Sequence, residues 1–179
     1  RRDCGTMPAV RRRMRHVTPT PHYPDSAASA PITLRLLTLT GLALLVAAFA
    51  CVVVWAGWTY SRTAKVQRGA GLYAEHCATC HGAQLEGQPD WQVADESGVL
   101  PAPPHDASGH TWHHDDAMLT DYIRWGGQAV LDDMGVSMTS GMPAFGEILT
   151  DGDIAAILAF IKSTWPDRIR AIQAERNGG

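Results

Sequence analysis

The chain has 179 residues, 45 % of them hydrophobic and 18 % charged, with a formal net charge of −3 and four Cys. That length fits one ordinary domain of roughly 100–150 residues plus extra segments and excludes a large multidomain enzyme. Its apolar content excludes general disorder, its acidic balance excludes nucleic acid as the main partner, and its Cys are too sparse for a disulfide scaffold.

The net charge averages three unlike segments. Residues 1–35 carry seven Arg against Asp3 and Asp25, residues 36–60 carry no charge, and residues 61–179 carry eight basic and sixteen acidic side chains. Residues 1–31, rich in Arg, Pro and Ala without apolar periodicity, read as the bulk of a disordered basic tail spanning 1–35. The chain opens on Arg, with Met7 and Met14 as candidate starts. Leu36 to Trp58 is 23 residues with no ionisable group except Cys51. As a helix it would reach roughly 35 Å, enough to cross a hydrocarbon core of about 30 Å. Trp55, Trp58 and Tyr60 gather at its end, where amphipathic rings favour the headgroup level, so residues 36–60 are expected to form a transmembrane anchor. The excess of Arg before the span places the N-terminus in the cytoplasm and everything after residue 60 on the far side. A cleaved signal peptide is the main alternative, with Ala48-Phe49-Ala50 as its small-x-small site. The apolar Cys-Val-Val-Val-Trp that follows, and Phe49 before Cys51, fit an uncleaved anchor better.

Residues 77–81 read Cys-Ala-Thr-Cys-His. Two thiols at this spacing can add to the two vinyl groups of one haem, and the adjoining His falls beneath the iron as an axial ligand. A thioredoxin-type redox pair wants a βαβ setting, a zinc site wants a second ligand pair, and a plain disulfide leaves His81 unexplained.

On this motif the chain resembles the class I monohaem c-type cytochromes, in a membrane-anchored bacterial form, over about residues 64–166. The resemblance implies an all-α, class I cytochrome c fold wrapped around one covalent haem, preceded by a single transmembrane helix. It implies thioethers from Cys77 and Cys80 and an axial bond from His81. Gly141-Met142-Pro143-Ala144-Phe145 looks like the family's loop for the sixth ligand, which makes Met142 the second axial ligand through its thioether sulfur. Met is more often core filler, and Met134 and Met138 are rivals. The resemblance also implies two crossing helices. One starts near Lys65, with Val66, Gly69, Ala70, Tyr73 and Cys77 along one face. The other is announced by a capping-box pattern at Thr150-Asp151-Gly152-Asp153, and Ile154, Ile157, Leu158 and Ile161 line it until Pro166. Gly69 and Tyr73 are expected to meet Ile157 and Phe160. Between them, Ala117–Trp125 reads as a helix with Met118, Leu119, Tyr122 and Ile123 inward and Gly126-Gly127 as its stop. The haem domain is assigned to residues 61–168 and a polar tail to 169–179.

Other features admit more than one reading. His105, His110, His113 and His114, with Met134 and Met138 nearby, suit a copper or zinc site, or a Pro-rich surface loop with Asp115 or a neighbour as the next N-cap. The family often uses a proline carbonyl to orient the axial His, for which Pro101, Pro103 and Pro104 are candidates. Ser61 to Ala64, if extended, would span at most about 17 Å and keep the haem domain close to its anchor. The resulting expectation is an electron carrier and not an enzyme: one covalent haem c, on the periplasmic side of a bacterial inner membrane, passing single electrons between a donor and an acceptor. A subunit of a terminal oxidase complex, or a haem enzyme or sensor with a labile sixth ligand, is the alternative. The acidic excess after residue 60 calls for a basic docking surface on a redox partner, and the short tether for an adjacent inner-membrane complex.

Overall fold

The computed structural model describes residues 32–178; most of the basic tail, with Met7 and Met14, lies outside the described residues. The chain divides into two compact units, 1–46 and 47–179. In the first, Ile32–Val46 belong to helix α1 (Ile32–His76), with the Thr38 and Thr40 hydroxyls donating to Arg35 and Leu36 carbonyls one turn back. The apolar side chains here are almost all exposed, and α1 is long and apolar enough to cross a membrane.

The second unit opens with the rest of α1, and Ser61–Ala64 is helix, not the extended connector expected from sequence. Nothing there breaks the helix. The Ser61 and Thr63 hydroxyls donate to the Gly57 and Thr59 carbonyls at 2.9 and 3.0 Å, and the Arg62 guanidinium lies 4.5 Å over the Trp58 ring. A four-residue helix α2 (Ala78–His81) follows, and then α3 (Asp116–Trp125), α4 (Gly127–Asp133), α5 (Asp151–Ser163) and α6 (Asp167–Gly178). Among the described residues strands are confined to one parallel pair, β1 (Val99–Leu100) against β2 (Thr139–Ser140), so the all-α expectation holds.

Local chemistry sets the helix ends. Asp115 caps α3 by accepting from Met118 N at 2.8 Å, and Thr150 and Asp153 close a reciprocal capping box on α5. Gly126 ends α3 at φ +84°, as expected, but Gly127 then opens α4, which the sequence reading missed. A Cβ on Gly127 would lie 2.0 Å from Ser140 Oγ, so this turn packs directly on β2.

The core gathers Tyr73, Ile154, Ile157 and Trp165, each under 2 % exposed. At the crossing of α1 with α5, a Cβ on Gly69 would sit 1.9 Å from the Ala156 carbonyl oxygen. Gly69 therefore meets the backbone of Ala156 and the Cβ of Phe160, while the Tyr73 and Phe160 rings lie 5.4 Å apart and Tyr73 shares the core cluster with Ile157. The segment expected as a polar tail is instead the bulk of α6. Its polar residues pack: Gln173, 1 % exposed, donates to Asp116 Oδ1 at 2.7 Å, and Asn177 Oδ1 accepts from Asp116 N at 2.8 Å.

Replacing Gly69 by Ala is expected to destabilise the haem-loaded protein by about 1–3 kcal/mol through overpacking against backbone, while Ala at the open Gly71 stabilises it by up to about 1 kcal/mol. Paired denaturant titrations check both signs, and an unchanged midpoint for Gly69→Ala contradicts the contact.

Two carboxylates make stability depend on acid. Hydrogen bonds from Thr150 and then Arg68 hold Asp153 below its ordinary value. At Asp116 partial burial pulls upward, but the bonds from Lys162 and Gln173 together leave it lowered. A carboxyl depressed in the folded state stabilises above its unfolded value, near 3.9, and loses that contribution as pH falls through the folded value. Acid unfolding below about pH 4 is therefore expected to flatten in the Asp153→Asn, Asp116→Asn double variant, followed by circular dichroism against pH.

Candidate functional site

Helix α1 delivers the Cys-x-x-Cys-His segment directly, since Cys77 N still donates to Tyr73 O at 2.9 Å. The next turn, with His81 N donating to Cys77 O at 2.9 Å, leaves Cys77 half-buried, Cys80 exposed and His81 only 7 % exposed. Gly82, at φ +81°, ends the turn, and the Tyr73 hydroxyl donates to its carbonyl at 2.9 Å.

His81 Nδ1 lies 2.8 Å from the carbonyl oxygen of Pro103. A carbonyl can only accept, so Nδ1 carries the proton and Nε2 keeps the lone pair a metal needs. Of the three prolines, Pro103 is the one placed. Residues 101–105 are held against 85–88: Gln88 N donates to Ala102 O at 2.9 Å, Ala102 N to Gln88 Oε1 at 2.7 Å, and His105 N to Leu85 O at 2.8 Å. A Cβ on Gly87, at φ +67°, would lie 2.4 Å from Pro104 N, so glycine permits this approach. Burial lowers the His81 pKa against the opposing pull of the Pro103 bond, which keeps the ring neutral and able to ligate. Burial, with Cys80 alongside, pushes the Cys77 thiol up to about 11. A thioredoxin-type pair relies on a depressed thiol, and Cys77 is shifted the other way.

The four histidines do not converge. His105 stacks on His81, ring centroids 4.0 Å apart at 23°, and its Nδ1 lies 2.7 Å from Thr111 Oγ1. Burial and the neighbouring His81 push its pKa down to about 3, so it backs the His81 ring as a neutral aromatic. Trp165 Nε1, two residues past the end of α5, donates to the His105 carbonyl at 2.7 Å and secures it. His105 was legible only as a candidate ligand; nothing in its spacing signals a stacking role. Among the described residues no group of three or more His, Cys, Asp or Glu could hold a metal ion, and Met134 and Met138 are 48 % and 45 % exposed.

One cavity of about 460 Å³ is lined by Cys77, Cys80, His81 and Met142 together, with apolar walls from Leu119, Ile123, Ile157 and Leu158. Met142 is half-buried and packs on the core; Met138 also reaches the cavity, and Met134 does not. The Met142 loop is pinned to the turn between α3 and α4, where Gly127 N donates to Met142 O at 3.0 Å and Phe145 N to Ile123 O at 2.9 Å. A Cβ on Gly126 would come within 2.9 Å of Ala144 N. This pair of glycines thus seats the Met142 loop, a task hidden behind its reading as a helix stop. The donor set fits haem: two thiols at vinyl spacing, a neutral imidazole with a fixed tautomer, a soft thioether and an apolar enclosure of ligand-binding size.

A helical shell around such a cavity defines a haem-binding protein of the c type. The Cytochrome c family model matches residues 66–165, more than half of the chain, and the chain belongs to that family. No curated protein and no solved structure matches it. As a member of the family the protein is an electron-transfer haem protein with one covalent haem c.

Proposed function

We propose that the protein is a membrane-anchored, single-electron carrier whose haem is attached through Cys77 and Cys80 and ligated by His81 and Met142. The observation that carries this reading is the shared cavity, which all four residues line together with an apolar wall. The haem supplies the one-electron couple when bound. The chain excludes water, keeps the His81 tautomer through Pro103, and offers a sulfur donor that favours the reduced state over a second imidazole. With both axial positions filled there is no open place for a substrate, which favours a carrier over an enzyme or sensor.

Met142→Ala tests the ligand set. It is expected to abolish the weak near-infrared sulfur-to-iron band of the ferric protein and to let the ferrous protein bind carbon monoxide, while Met138→Ala changes neither. Retention of the band in Met142→Ala overturns the assignment.

The anchor reading rests on the apolar stretch of α1, the Arg excess before it and the rings at Trp55, Trp58 and Tyr60. It places the haem domain on the periplasmic side of a bacterial inner membrane. Trp58 and Cys77 lie on, or next to, one unbroken helix, 19 residues apart and so about 28 Å along its axis. Gly69 against Ala156, and Arg68 bonded to Asp153 at 2.6 Å, lock that helix to the haem domain. The connection is a strut and not a tether, which favours a partner in the same membrane, at matching height, with a basic surface for the acidic domain. Two helix-forming residues inserted after Ala64 would turn the domain by about 200°, whereas seven would turn it by only about 20°. The two-residue insertion is expected to slow haem re-oxidation in native membranes, and the seven-residue one to slow it less. Equal rates in the parent and both variants would put the partner in solution.

A further inference from the structure

His110 and His114 face each other with Nε2 atoms 3.0 Å apart, and the function proposed above uses neither. From the geometry of these two rings we infer that His110 and His114 form a bidentate site for a tetragonal divalent ion, Cu(II) first, on the wall of the haem cavity. The bite distance suits a tetragonal ion. With nitrogen–metal bonds of about 2.05 Å, a 3.0 Å separation subtends about 94° at the ion, the cis angle of a tetragonal centre. A tetrahedral zinc would want the nitrogens about 3.3 Å apart. Copper is also the strongest binder of its row at an imidazole site.

The surroundings support the pair. Trp91 stacks on the His110 ring at 5.9 Å and 12°, which limits its rotation. The His113 ring centroid is 5.8 Å from that of His110, at the edge of the site. At 3.0 Å one Nε2–H donates to the other Nε2, so a divalent ion would displace that single proton and take both lone pairs; burial and the neighbouring rings lower the pKa of both imidazoles, while around His114 the Asp115 carboxylate favours a cation and Arg176 opposes it. Two protein ligands leave the remaining tetragonal positions to water, in keeping with the absence of any three-ligand group among the described residues. His110 and His114 both border the cavity, so the ion would sit beside the haem, outside its axial ligands.

The full-length protein carrying ferric haem, which cannot reduce the added ion, is titrated with Cu(II) in detergent, with haem absorbance as the concentration standard. The expected result is one Cu(II) per haem with an electron paramagnetic resonance spectrum of tetragonal type and two-nitrogen hyperfine structure. His110→Gln and His114→Gln are each expected to weaken binding by about tenfold or more, because a chelate is reduced to a single ligand, and His113→Gln to leave it within about twofold. Unchanged haem spectra in the variants show that they fold. The inference is overturned by a stoichiometry near zero, by a spectrum without two nitrogens, or by binding that survives loss of both His110 and His114. It is equally overturned if the holoprotein excludes copper because the pair is bonded to the haem carboxylates.

Discussion

The close approach of α1 to α5 at Gly69 is the constraint on which the haem domain depends. With no β-carbon, Gly69 lets the two backbones meet at a distance that Ala would forbid. That contact sets where α1 ends, and α1 ends on the Cys-x-x-Cys-His turn. The same α5 supplies Ile157 and Leu158 to the cavity, so one crossing places both the attachment motif and part of the apolar wall. Arg68, one residue before Gly69, ties the α1 side of the crossing to Asp153, the residue that also completes the cap of α5.

A second layer of order comes from loops without regular structure. Residues 101–105 would be free to move by composition, yet backbone bonds to Leu85 and Gln88 tie them down. That fastening brings the Pro103 carbonyl to His81 and the His105 ring to its face. Haem binding therefore calls on both a rigid helix crossing and a polar strap. The strap determines the protonation pattern of the imidazole, which keeps the His81 Nε2 lone pair available to a metal.

Much of the site was legible because its signals are local. Cys77, Cys80 and His81 lie within five residues, and the caps at Asp115 and Thr150 and the stripe from Ile154 to Ile161 follow from helix periodicity. The errors share a cause too. Ser61–Ala64 contains Ser and Thr, which favour turns when nothing competes, but with a long helix already running the hydroxyls bond back to it and propagation wins. Helix α4 is too short for a period to register, and α6 is too polar; Gln173 and Asn177 acquire a packing role only because Asp116 lies opposite.

By itself the sequence determined that this chain binds haem covalently, that its domain is helical and that a long apolar segment precedes it, since each rests on residue types at short fixed spacing. Tertiary structure decided which proline orients His81, that Met142 and not Met134 reaches the cavity, and that four histidines separate into a stacked ring, an opposed pair and a neighbour. Apart from the His110–His114 pair, four residues apart in sequence, those outcomes depend on distances between segments that lie roughly 20 to 60 residues apart. Such distances are set by how close two backbones can come and by where buried polar groups find partners, and spacing along the chain records neither.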